Sequence, residues 1–182
     1  MAKELQYRSD DLIHLFGKCF VKPFNTYLVK GGIEPVYLPA NSSCAYHQVV
    51  FNRDYFSSAL HEISHWCIAG QLRRLKIDYG YWYSTDGRSA VEQKNFEKVE
   101  SKPQALEWIF AKACGRDFCI SIDNLDAPPA STEKFKRTVV REAHSYKTSG
   151  LPRRALSFYR QLAEFYRYEG GIDELQFSIN DL

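Results

Sequence analysis

Two histidines four residues apart, His61 and His65, with Glu62 beside the first, are the residues of this 182-residue chain best suited to chemistry. Residues four apart in a helix share one face, about one turn from each other. Both imidazoles can then chelate one metal ion while Glu62 handles a proton. No Pro or Gly interrupts residues 55 to 69, and Leu60, Ile63 and Cys67 supply an apolar stripe, so the spacing predicts an amphipathic helix there. The chain has five histidines. Two of them flanking a Glu at the useful spacing favour a metal over chance placement on a helix.

Two histidines need a third protein ligand, and a carboxylate from a following helix is the usual supplier. Gln93, Glu97, Glu100, Gln104 and Glu107 fall on one face of the helix expected over residues 89 to 114. Glu100 is the leading choice, Glu97 the alternative and Glu107 the third, and Gln104 sits one turn from Glu100, where an amide can hold it. The bland reading of the stripe is a solvated face. With zinc, such a site activates water against an amide with Glu62 as base, a metallopeptidase. With Fe(II), the same ligands form the facial triad of oxygenases, with positions open to dioxygen. The residues alone also allow a non-catalytic, metal-stabilised binding module. Cys44 and His47, three apart, lack a second pair for a tetrahedral site and read as packing, as do the isolated His14 and His144.

The elements that must position this site read as a mainly helical α+β fold. A first helix begins near Ser9-Asp10-Asp11 and stops at Pro23. Strand-like runs follow at Thr26 to Val29, Val36 to Leu38 and Tyr46 to Phe51, around a Gly31-Gly32 turn. This small sheet is expected to pack on the histidine helix, with a zincin-like core suggested by motif analogy only. Past Arg73, Arg74 and Lys76, the aromatic loop from Asp78 to Arg88 would wall a cleft beside the metal, with Tyr81, Trp82 and Arg88 as substrate contacts. The helix over 89 to 114 is expected to break at Pro103, with Ser101 starting a second piece. Phe118 to Ile122 reads as a strand, Lys134 to Tyr146 and Arg153 to Tyr168 as helices, and the tail to Leu182 as loosely held.

Composition sets the outer bounds. The length suggests a single domain over residues 1–182, and 45% hydrophobic with 15% aromatic residues can fill a core. A net charge of +2 is too small to imply nucleic-acid binding. No run approaches the roughly 18 apolar residues of a membrane span. Five cysteines without a framework spacing, and no apolar leader, imply a reduced cytoplasmic protein.

Longer stretches add a resemblance. His61-Glu-Ile-Ser-His-Trp-Cys-Ile-Ala-Gly-Gln-Leu-Arg-Arg74, Asp78-Tyr-Gly-Tyr-Trp-Tyr83, Asp86-Gly-Arg88 and Phe96-Glu-Lys-Val-Glu100 occur in order. Lys102-Pro-Gln-Ala-Leu-Glu-Trp108, Ser121-Ile-Asp-Asn-Leu125 and Gly150-Leu-Pro-Arg-Arg154 follow. Together they resemble the bacterial elongation factor P hydroxylase family over nearly the whole chain. The resemblance implies an iron-dependent hydroxylase that uses dioxygen. It would act last in modifying elongation factor P, on the lysine already extended with a β-lysyl group. It also implies that His61 and His65 bind Fe(II) rather than zinc. Glu62 then becomes a proton carrier or a binder of substrate ammonium groups. The double-stranded β-helix of 2-oxoglutarate enzymes needs many strands, and this chain shows no such signature.

Overall fold

The computed structural model describes residues 7–81, 88–122 and 129–182, with the backbone alone at 90 and 129–131. The chain divides into two compact units, Met1–Gly80 and Tyr81–Leu182.

The first unit begins with α1 (Ser9–Phe24). Asp10 and Asp11 occupy its first turn, where the helix dipole favours negative charge. Arg8, not Ser9, holds the N-cap position, and Ser9 is the first helical residue. Pro23 lies in the last turn, and the helix ends where Asn25 turns left-handed (φ 48°), its N–H donating to the Val21 carbonyl at 2.9 Å. Three strands follow, β1 (Thr26–Lys30), β2 (Val36–Leu38) and β3 (His47–Phe51), in the order β1-β3-β2. β1 runs parallel to β3 with Thr26 opposite His47, and β2 runs antiparallel to it with Val36 opposite Val50. Gly31 closes this corner: its N–H donates to Phe51 O at 2.9 Å, and a Cβ there would run into the Val50 side chain.

The sheet packs on α2 (Phe56–Ile68) through β3. Leu60, Ile63 and Cys67 are buried, as the stripe predicts, and Ala59, Ser64 and Trp66 join them. Trp66 anchors the helix, its ring 5.2 Å from Phe16 and 4.6 Å from Phe20 of α1. A buried aromatic removes roughly 150–250 Å² from water, so this cluster fixes the rotation of α2. At about 100° per residue, that rotation turns His61 and His65 away from the Trp66 direction, and both histidines, like Glu62, are half-buried.

The second unit is built on α3 (Ala90–Ala113), α4 (Pro129–Ser149) and α5 (Arg153–Tyr166). Ser89 and Glu92 start α3 with a capping box, the Ser89 N–H donating to Glu92 Oε2 at 2.8 Å. The expected break at Pro103 is corrected: α3 runs through it unbroken. A mid-helix Pro costs about 3 kcal/mol. Leu106, Trp108, Ile109 and Phe110 are fully buried where α3 packs on α4 and α5, and each contributes about 1.5–3 kcal/mol. Gly115 takes the left-handed C′ position, as its place in the sequence predicts.

Two further expectations fail for non-local reasons. Residues 118–122 are not a strand; Gln104 instead donates to Ser121 O at 2.7 Å and accepts from Ser121 N at 3.1 Å. That amide is thus committed to backbone rather than to Glu100. The tail is docked, not loose. Leu175 and Phe177 are buried, Lys147 donates to Leu175 O at 2.8 Å, and Phe177 meets Trp108 at 4.8 Å. His144 lies 3.2 Å from the Phe177 carbonyl. The described residues thus make an α+β architecture, mainly helical with one small sheet. No helix among them is long and apolar enough to cross a membrane.

Candidate metal centre

α2 brings its two histidines together: His61 Nε2 and His65 Nε2 are 3.1 Å apart, with the rings inclined at 70°. Two neutral imidazoles at that distance can share a proton only if one Nε2 carries it. A cation about 2.1 Å from each nitrogen satisfies both lone pairs at once. The converging nitrogens therefore fit a bound metal ion. Glu62, next to His61 in the chain, is half-buried as well.

The His65 ring has a neighbour that sequence reasoning passed over. Tyr79 lies nearly parallel to it, 8° between planes and 6.4 Å between centroids. Tyr37 stacks on the far side of Tyr79 at 4.5 Å, and His47 lies parallel beyond Tyr37 at 6.3 Å. Tyr79 reaches this place through an unusual backbone. Asp78, Tyr79 and Gly80 are all left-handed, with φ of 46°, 57° and 76°. For non-glycine residues that conformation costs roughly 1–2 kcal/mol each. Asp78 offsets part of it by accepting from Tyr37 N at 2.8 Å, and Arg73 donates to Tyr79 O at 3.4 Å. Burial pushes the Asp78 carboxyl above its ordinary range despite that hydrogen bond and the nearby His65. Burial, reinforced by the negative charge of Glu62, holds the Tyr79 phenol far above its ordinary value. The sequence signal nearest this arrangement is Gly80, inside the aromatic run that Tyr79 begins.

The stripe of polar residues lies on α3 in the second unit. Glu100 is 5% exposed and Glu107 8%, whereas Glu97 is half-buried and accepts from Gln93 at 3.3 Å. Arg88 is buried, its guanidinium 3.9 Å over the Phe96 ring and its Nε donating to Gln93 Oε1 at 3.2 Å. Phe96, Arg88, Gln93 and Glu97 thus form one chain of contacts at the start of α3. Tyr81 is half-buried. Trp82, together with the rest of the aromatic loop to residue 87, lies outside the described residues. Cys44 and His47 do not share a ligand: Cys44 Sγ donates to Tyr46 O at 3.3 Å, and His47 Nδ1 accepts from Ala40 N at 2.9 Å.

Comparison with known proteins bears on what such a centre serves. The chain is 47% identical over 175 residues to the protein named elongation factor P lysine hydroxylase of Haemophilus influenzae, covering 96% of this chain and 98% of that one. Residues 15–177, a span that includes α2, the left-handed segment and all of α3, match the family described as elongation factor P hydroxylase. Paired imidazoles on α2 and a match across both units carry the same conclusion: this chain belongs to the elongation factor P hydroxylase family.

Proposed function

We propose that this protein hydroxylates a modified lysine of elongation factor P, and that both units, residues 1–182, serve that one activity. The observation that carries the reading is the pair of converging Nε2 atoms, 3.1 Å apart, on a chain that belongs to this family. The family does not support the zinc peptidase that the five-residue motif alone allows. Likeness to a zincin then rests on that motif alone.

The finer reading assigns each residue a task. His61, His65 and Glu100 form the donor set proposed for one ion, with Glu97 the alternative third ligand. Two nitrogens and one carboxylate suit Fe(II) and, when bound, that ion supplies activation of dioxygen at its open positions. Turning C–H into C–OH with dioxygen leaves one oxygen atom to become water, which takes two electrons and two protons. An external reductant supplies the electrons. Glu62 carries protons at its carboxylate, and its charge attracts the ammonium groups of a β-lysylated lysine. Tyr81, Trp82 and Arg88 are the proposed substrate contacts, the aromatics along the aliphatic stem. The reading places the protein in the cytoplasm at the last step of the modification, without nucleic-acid or membrane partners.

The test is the intact mass of elongation factor P from cells with and without the gene. A gain of one oxygen atom is expected with the wild-type protein and none with His61→Ala or His65→Ala. An unchanged mass with the wild-type gene would sink the reading. Metal analysis of Glu97→Ala, Glu100→Ala and Glu107→Ala should show loss for Glu100 alone; equal retention in all three refutes that ligand choice.

A further inference from the structure

Resting on the hydroxylase reading, the segment between the metal helix and the left-handed turn has an unexplained surface. Leu72 is 78% exposed, Leu75 66% and Ile77 47%, all within six residues. Exposed apolar side chains scattered singly are ordinary, whereas a cluster rimmed by charge marks an interaction site. The other large exposed apolar residues among those described are spread along the chain, and Tyr27 and Tyr46 cover each other at 4.6 Å.

The segment is held rather than floppy. Arg73 N and Arg74 N both donate to Gly70 O at 3.1 Å, and Lys76 N donates to Arg73 O at 3.0 Å. The Arg74 guanidinium turns inward, donating to Ala69 O at 2.8 Å and lying 5.9 Å over the rings of Phe24 and Trp66. Both ends touch the centre: Ala69 N donates to His65 O at 2.9 Å, and Tyr79 stacks on the His65 ring. The backbone is thus fixed before any partner arrives, which lowers the entropy cost of docking. From Ile63 to Ile77 the sequence carries Arg73, Arg74 and Lys76 and no carboxylate.

We propose that Leu72, Leu75 and Ile77, with Arg73 and Lys76 at their rim, dock the protein substrate itself. The occupant is a surface of elongation factor P that offers an apolar patch bordered by carboxylates, next to its modified lysine. Apolar anchors supply affinity, and the cations speed encounter and fix register. A protein seated here lies beside the helix that carries His61 and His65.

The experiment measures binding of metal-loaded protein to elongation factor P bearing the modified lysine, alongside mass gain of that substrate. The variants are Leu72→Asp/Leu75→Asp, the milder Leu75→Ala, and Lys76→Glu. Substitutions at such exposed positions usually change stability by no more than about 0.5 kcal/mol, and melting with metal content checks each variant. We expect the double variant to weaken binding at least about tenfold with metal content unchanged. Lys76→Glu should weaken it less and flatten its salt dependence, because exposed charges are screened. Binding within about twofold of wild type in all three variants overturns the docking surface, while wild-type turnover leaves the hydroxylase reading standing. Wild-type protein that neither binds nor oxidises this substrate overturns both. Should the double variant fail to fold, Leu75→Ala and Lys76→Glu decide by the same criteria.

Discussion

Tyr79 carries two properties that substitution can separate. Its ring lies flat beside His65 and is backed by Tyr37, an offset stack that sets which way the imidazole faces. Its hydroxyl is buried without a hydrogen-bond partner among the described residues. Leaving a buried hydroxyl unpaired costs about 1–3 kcal/mol. Tyr79→Phe is therefore expected to keep metal affinity and to melt at the same temperature as wild type or above it. Tyr79→Leu removes the flat face, frees the His65 ring and is expected to weaken metal binding by about tenfold, through a cost near 1.4 kcal/mol. Thermal melting of the metal-free proteins and a metal titration of each check both statements. A Phe variant that melts well below wild type would mean the hydroxyl is already bonded within the fold.

Among the elements, α3 depends on its start. Ser89 is exposed, yet it closes both halves of the capping box with Glu92, donating its N–H at 2.8 Å and accepting the Glu92 N–H at 3.4 Å. Its hydroxyl also donates to the Glu92 carboxylate at 2.7 Å, and the two bonds that carboxylate accepts hold it below its ordinary range. Ser89→Ala is expected to cost about 1 kcal/mol, read as a lower midpoint in chemical denaturation with an unchanged slope. Local signals of this kind were legible in the sequence. The Thr26, Val36 and Tyr46 runs appear as strands within a residue of their expected ends, and the Leu60-Ile63-Cys67 stripe of α2 is buried as read. What escaped was decided by distant partners. Nothing near Pro103 shows that α4 and α5 will hold the helix through it. Ser121 looks like part of a strand until the Gln104 side chain takes its N–H and C=O. The tail reads as polar because Leu175 and Phe177 have no periodic neighbours, and only α3 and α4 show what buries them. At the site, helical spacing made the pairing of His61 with His65 legible. It ranked Glu100 ahead of Glu97 and Glu107 but placed all three on one stripe, because periodicity gives a face and not a depth. Tyr79 escaped because two successive non-glycine residues in the left-handed region have no sequence signature.

For the molecule as a whole, acid tolerance is expected to rest on His47, at the end of the ring stack that begins at His65. The Ala40 N–H donates to its Nδ1 at 2.9 Å, so that nitrogen carries no proton and the ring is neutral. Burial, with help from the Arg74 charge, holds its pKa below the ordinary 6.5. The sign follows from which state takes up the proton first. Below about 6.5 the unfolded chain binds a proton that the folded chain still refuses, so stability falls as pH drops through that window. Stability is fully present above the unfolded pKa and declines until the folded pKa is passed. Protonation also sets an N–H against the Ala40 N–H. Metal-free protein should therefore melt progressively lower between about pH 7 and pH 5. His47→Gln offers an amide oxygen to the Ala40 N–H without a titrating group, and its melting temperature should change less over the same range. The metal-free form matters for this comparison, because protons compete with metal at His61 and His65 and would add their own acid dependence. Parallel melting curves for wild type and His47→Gln across the range would show that the acid response lies elsewhere.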